Sequence, residues 1–170
     1  KLIANDLEEA LSQVGLFGLV QSLMHIVQPK YGFELFLNSD FPVGSGLGGS
    51  ATISAVVLGC FNMLREDPWN QHELAEIAFQ AERLHLGIAG GWQDQYAAVF
   101  GGFNFIEFHV DENIVNPMRV HPDIALELEE SLILCNTGID HHSGNIHDDQ
   151  KETMISTSIR ELVHDNVKLS

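Results

Sequence analysis

The chain has 170 residues, 45% of them hydrophobic and 19% charged, which is enough apolar content for a buried core and argues against wholesale disorder. Eight Lys and Arg against 24 Asp and Glu give a formal net charge of −16, which argues against nucleic acid and against an anionic membrane surface as partners. A nucleotide stays compatible with that charge, because backbone N–H groups and a divalent cation can hold phosphates with few cationic side chains.

Taken from the start, Leu7, Leu11, Val14, Leu19, Leu23 and Ile26 recur at roughly helical spacing from Asp6 to about Val27, and Gly15 and Gly18 allow either one helix or two short ones. Phe33, Leu35 and Leu37 then alternate with Glu34, Phe36 and Asn38, the pattern of a strand. A glycine-rich loop follows Asp40. Ser50 to Leu64 is apolar nearly all round and reads as an interior helix. After a break at Pro68 and Asn70, Gln71 to His85 reads as an amphipathic helix with Leu74, Ile77, Ala78, Ala81 and Leu84 on its stripe, Glu82 on the flank and Arg83 pointing away.

Gly87, Gly90 and Gly91 form a second glycine-rich connection, leading to a short helix at about Trp92 to Val99 that ends at Gly101-Gly102. Phe103 to Phe108 and Ile114 to Val120 read as a hairpin around an Asp111–Asn113 turn, Leu132 to Cys135 as a short buried strand, and Ser143 to Val167 as helical. Cys60 and Cys135 read as small buried hydrophobes, with no disulfide framework and a reducing, cytoplasmic compartment. No apolar stretch reaches a membrane span, and the first residues lack the pattern of a signal peptide. Strands and helices interleave without a regular βαβ period, so the expected class is α+β.

The most informative stretch is Pro42-Val-Gly44-Ser45-Gly46-Leu47-Gly48-Gly49-Ser50-Ala51. Its glycines let the backbone adopt conformations closed to other residues and let a ligand approach closely. Ser50 opens a helix, where its hydroxyl can cap the first turn or reach a ligand. Successive N–H groups plus the helix dipole make an anion site, most naturally for phosphates. As a Walker A loop the stretch fails, lacking Gly-Lys-Ser/Thr. Gly44-x-Gly46-x-x-Gly49 matches a dinucleotide fingerprint, but the acid expected about 20 positions on would be Glu66 or Asp67, at a helix end rather than on a second strand. A plain glycine turn with Ser50 as cap is the remaining reading.

Glu82 and Asp94 bracket the second glycine-rich segment. Facing a phosphate loop, two carboxylates have a use: one to hold Mg2+, the other to orient or deprotonate an attacking hydroxyl. On spacing alone, a helix-surface acid and a first-turn acid favoured by the helix dipole explain them equally well.

The loop at 42–51 resembles the second signature of the GHMP kinases, P-x-x-x-G-L-G-S-S-A, departing from it at Gly49, where the family usually carries Ser or Thr. The stretch Gln80 to Gly102 resembles the sugar-kinase segment ending in G-x-x-D-Q, and its continuation to Phe108 is similar to the heptose 7-phosphate kinase and fucose kinase branch. The resemblance implies an α+β N-terminal domain like one in ribosomal protein S5 over residues 1–142, and the start of a ferredoxin-like second domain over 143–170. It implies ATP and Mg2+ as cofactors. It assigns ATP binding to Pro42, Gly44, Ser45, Gly46, Leu47, Gly48, Gly49 and Ser50, metal contacts to Ser50 and Glu82, and catalysis to Asp94. The acceptor it implies is a hydroxyl of a sugar or sugar phosphate.

The family's first and third signatures have no counterpart here, so the chain is expected to be an internal portion, inactive alone and prone to self-association through exposed strand edges. His141, His142, His147, Asp148 and Asp149 could bind a transition metal, but their spacing matches no zinc pattern. In the related kinases the segment after Thr137-Gly138 lies near the sugar, which implies a substrate contact. Two other functions are carried forward: a dinucleotide-binding oxidoreductase and a non-catalytic kinase-like domain.

Overall fold

A computed structural model describes residues 16–40 and 45–135. Apolar residues three and four apart put one face of α1 (Leu16–Val27) into the interior, where Leu19, Val20 and Leu23 are buried. The helix stops at Gln28, which takes a left-handed φ of 45° while its N–H still bonds the Met24 carbonyl at 3.0 Å, and Pro29 cannot continue the helix. α2 (Gly49–Asn62) buries Ala51, Ser54, Val57, Leu58 and Phe61. Its opposite face, Thr52, Val56, Cys60 and Met63, is exposed, so α2 is not the wholly interior helix its composition suggests. Both Cys60 and Cys135 are exposed thiols, contrary to the sequence expectation.

The next turn is stapled by a side chain. Asn62 accepts from the Trp69 N–H at 2.7 Å and donates to the Trp69 carbonyl at 2.9 Å, while the Arg65 guanidinium lies 3.7 Å from the Trp69 ring. Asn70 then starts α3 (Gln71–Phe79) with a reciprocal capping box to Glu73. Ala75, Ala78 and Ala81, all fully buried, present almost no side chain and let α3 approach α1 and α2 closely. The core they close is Leu19 and Leu23 against Val57, Leu58 and Phe61. Each such aliphatic side chain contributes on the order of 1.5–3 kcal/mol on burial.

The helix predicted to run evenly to His85 does not. From Gln80 to His85 it widens into a π segment. Each residue there advances less around the axis than in an α-helix, so the apolar stripe loses register. Leu84, expected on that stripe, is 71% exposed, whereas Glu82 turns inward to 4% exposure. Ser22 of α1 donates to the Ala81 carbonyl at 2.8 Å, a buried bond that fixes this segment against α1.

α4 (Gln93–Phe100) ends at Gly101, whose N–H bonds the Ala97 carbonyl at 2.9 Å; Gly101 and Gly102 have φ of 59° and 66°, which explains the glycine pair. The hairpin forms as expected: β1 (Asn104–Phe108) pairs antiparallel with β2 (Asn113–Pro117), Ile106 opposite Val115. α5 (Pro122–Ser131) has no counterpart in the sequence reading; it buries no residue, and Pro122 in its first turn and the His121 cap are its local signals.

Two expected strands are not formed. Residues 32–39 are without regular structure, although the alternation survives in their packing. Leu35 packs on the core, Phe33 meets Phe61 edge-on at 4.9 Å, and Phe36 is 88% exposed. Residues 132–135 are irregular and exposed rather than a buried strand. A strand needs a hydrogen-bonding neighbour, and among the described residues the only sheet is the hairpin. Helices packed together beside an antiparallel hairpin make the fold α+β, as the sequence predicts. The expected second-domain start at 143–170 lies outside the described residues.

Candidate active site

The glycine loop delivers α2. Pro42 and Gly44 lie outside the described residues; Ser45, Gly46 and Leu47 are exposed. Gly46 and Gly48 have φ of 75° and 68°, conformations that a side chain opposes, and a Cβ at either would meet nothing within 4 Å. The Cβ side of both glycines thus faces open space among the described residues. Gly48 is the N-cap of α2, and its carbonyl accepts from both the Thr52 N–H at 2.9 Å and the Thr52 hydroxyl at 3.0 Å. A glycine brings no capping side chain, so the first-turn N–H groups after it suit an anion.

Ser50, in that first turn, donates to Glu82 Oε1 at 2.5 Å. Gln95 Nε2, from α4, donates to Glu82 Oε2 at 2.6 Å, a buried bond. A single carboxylate in the π segment therefore ties the helix after the glycine loop to the helix that carries Asp94. Arg83, expected to point away, folds back instead: its side chain is 8% exposed, and its guanidinium stands 3.6 Å from Glu82 Oε1. It also reaches the carbonyls of Ala89 and Gly91, each at 3.4 Å, and a Cβ at Gly90 would overlap it. The Phe79 and Trp92 rings stack at 3.5 Å, nearly parallel, across the same connection. Asp94 is half-buried in the first turn of α4, with no hydrogen-bond or ion-pair partner among the described residues. As the chain neighbour of Gln95, its Cα lies about 3.8 Å from that of the tied residue.

The other carboxylate network was not visible in the sequence. Tyr96 donates to Glu76 Oε1 at 2.7 Å, and Asn113 from the hairpin donates to the Tyr96 oxygen at 3.1 Å. Burial, with the Glu76 hydrogen bond and charge, pushes the Tyr96 phenol up to about 12, against a lowering by Asn113. An open cleft of about 840 Å³ beside α3 and the hairpin turn is lined by Trp69, Glu73, Glu76, Tyr96 and Asn113 among others, and by no residue of the glycine loop.

The donors around Ser50 are a hydroxyl and a carboxylate, hard oxygen ligands that suit Mg2+, which commonly takes few protein ligands and completes its shell with water and substrate phosphates. No group of three or more His, Cys, Asp or Glu among the described residues could hold a metal alone. Glu66 and Asp67 fall in the turn before α3, so no second strand carries the acid that a dinucleotide fold requires. The cluster from His141 to Asp149 lies outside the described residues. No helix among the described residues is long and apolar enough to cross a membrane.

A glycine loop opening a helix, with a buried carboxylate locked to its first turn, is the distinguishing feature of this α+β domain. The pattern of the GHMP kinases N terminal domain matches residues 16–102, and the chain belongs to that family. It is 43% identical over 133 residues to the D-glycero-alpha-D-manno-heptose 7-phosphate kinase of Campylobacter jejuni, covering 78% of this chain and 39% of that protein. To the L-fucokinase/L-fucose-1-P guanylyltransferase of Bacteroides fragilis it is 37% identical over 76 residues, 45% of this chain and 8% of that protein. Among solved structures, a D-glycero-D-manno-heptose 1-phosphate kinase from Bacteroides thetaiotaomicron superposes with a TM-score of 0.60 at 34% identity, over 71% of this chain and 42% of that one. The chain therefore spans about two fifths of the length of that Campylobacter relative.

Proposed function

We propose that the protein to which this chain belongs transfers a phosphoryl group from ATP to a hydroxyl of a sugar or sugar phosphate, with a heptose phosphate as the favoured acceptor. The observation that carries this reading is the Ser50–Glu82–Gln95 tie, which sets an open glycine loop beside the helix bearing Asp94. Identity to a heptose 7-phosphate kinase supports the acceptor class.

In this reading the loop from Pro42 to Ser50 binds the nucleotide phosphates through backbone N–H groups and the dipole of α2. Ser50 and Glu82 hold Mg2+, which when bound neutralises charge on the transferring phosphates. Asp94 orients the acceptor hydroxyl and takes its proton; its lack of another partner among the described residues leaves it available for that contact. Residues 1–142 belong to the nucleotide-binding domain and 143–170 begin the second. ATP as substrate and two exposed thiols fit a cytoplasmic setting. Exposed Phe36, Val110, Ile133 and Leu134 favour self-association of the isolated chain, which light scattering would detect as a dimer or larger species; a monomer would contradict it.

The decisive experiment is Asp94→Asn in the full-length enzyme, assayed by ADP release with a panel of sugars and sugar phosphates. The expected result is a kcat at least ~100-fold lower with ATP affinity little changed, because a positioned base contributes about 10²–10⁴-fold. Turnover near that of the wild type would remove Asp94 from the mechanism.

A further inference from the structure

We infer that Gln95 is a positioning residue of this site: it fixes the rotation of the Glu82 carboxylate and, through it, the Ser50 hydroxyl at the mouth of the glycine loop. The inference rests on the kinase reading above and gives Gln95, named there only as part of the tie, a role of its own.

Gln95 is fully buried, an unfavourable place for an amide, and its Oε1 has no partner among the described residues. An apolar side chain of similar length would fill the same space without that cost. What the amide supplies is one short bond, Nε2 to Glu82 Oε2 at 2.6 Å. Each Glu82 oxygen accepts one hydrogen bond, Oε1 from Ser50 and Oε2 from Gln95, so the Gln95 amide turns its nitrogen toward the carboxylate.

The bond has a geometric consequence. The terminal torsion of a glutamate is broad and weakly held. With Ser50 alone on Oε1, the carboxylate could swing about its last bond. With Gln95 on Oε2 and Ser50 on Oε1, 2.6 and 2.5 Å away, both oxygens are pinned and the plane is set. The Arg83 guanidinium, 3.6 Å from Oε1, is too distant to replace either bond. The three partners come from α2, the π segment and α4, so the tie also holds the Asp94-bearing turn at a fixed distance from the phosphate loop. Residues that orient a metal-binding carboxylate typically matter 10–100-fold for metal affinity or activity.

The test uses full-length enzyme with Gln95→Met, which keeps length and loses the donor, Glu82→Gln, and the double variant. Mn2+ binding is followed by electron paramagnetic resonance without turnover, alongside kcat, KM for the sugar, the Mg2+ concentration for half-maximal rate, and thermal unfolding. Gln95→Met is expected to weaken Mn2+ binding about tenfold and raise the Mg2+ requirement in parallel, with the sugar KM within about twofold. In the Glu82→Gln background it should add nothing further to either metal readout.

Wild-type Mn2+ binding in Gln95→Met, or an equal loss with and without Glu82, would overturn the positioning role and leave the kinase reading intact. Should Gln95→Met not fold, Gln95→Asn, whose amide is withdrawn by one methylene, is expected to show the same metal-specific loss, and wild-type metal binding there would equally overturn it. If Glu82→Gln itself bound Mn2+ normally, the metal assignment of the proposed function would fail, and this inference with it.

Discussion

Two carboxylates on one continuous helical run, Glu76 in α3 and Glu82 in the π segment, are each hydrogen-bonded by neighbouring residues of α4, Tyr96 and Gln95. What lies on the far side of each differs. Beyond Glu76 the third partner is Asn113 of the hairpin, so the network joins α3, α4 and β2 and closes on itself. Beyond Glu82 the third partner is Ser50, in the first turn of α2 beside an open glycine loop. Adjacent residues of α4 thus reach the hairpin through Glu76 and the first turn of α2 through Glu82. A carboxylate does not announce function by being bonded; what differs here is that the last partner of Glu82 stands in the first turn of a helix behind a glycine loop.

Three substitutions test that contrast. The largest effect is expected for Gly48→Val, which puts a β-branched side chain at a φ of 68° on the N-cap of α2. ATP binding, measured by calorimetry on the full-length enzyme, should disappear; retained binding would show that the loop geometry is not what holds the phosphates. A middle effect is expected for Gly90→Ala. The new Cβ would displace the Arg83 guanidinium, the far end of a flexible side chain, from its contacts with the Ala89 and Gly91 carbonyls in the second glycine connection. Activity should fall more than ATP binding, and Gly90→Ala combined with Arg83→Ala should recover stability relative to Gly90→Ala alone. If Gly90→Ala is silent, the connection does not depend on Arg83.

The smallest effect is expected for Tyr96→Phe, which removes one hydroxyl from the closed network at about 0.5–1.5 kcal/mol. It should leave ATP binding unchanged, and a large loss there would erase the distinction between the two networks. It also has a pH signature. The folded protein holds the phenol proton more tightly than the ordinary value of 10.0, up to about 12, so this stabilisation is complete below pH 10 and lost as pH rises toward 12. Thermal melts of the wild type should decline across that window more steeply than those of Tyr96→Phe.

The hairpin and the helices other than α5 were legible because their patterns are local: α2 and α4 lie within one or two residues of their expected bounds, and the glycines end or open them where a left-handed φ is needed. The glycine-rich stretch before α2 was legible for the same reason, with Gly46 and Gly48 at positive φ. The π segment was not, since no local pattern separates it from α3, and with it went the true directions of Leu84, Glu82 and Arg83. Gln95 was quoted only as the residue after Asp94, because its importance depends on a partner 13 positions earlier in the chain. The strand at 33–38 was inferred from alternation, which reports facing but not pairing, and the structure keeps the facing without the ladder.

The π segment also has a consequence for how the chain can change length. A π turn accommodates one residue more than the α-turn it replaces. Removing one residue between 80 and 85 would let α3 wind on as an ordinary helix in nearly the same direction, but would take Glu82 out of its place between Ser50 and Gln95. In the exposed turn at 109–112, one residue more or less would alter only the local closure of the hairpin. Insertions and deletions should therefore accumulate in the turn and be purged from the π segment, whatever residues fill it.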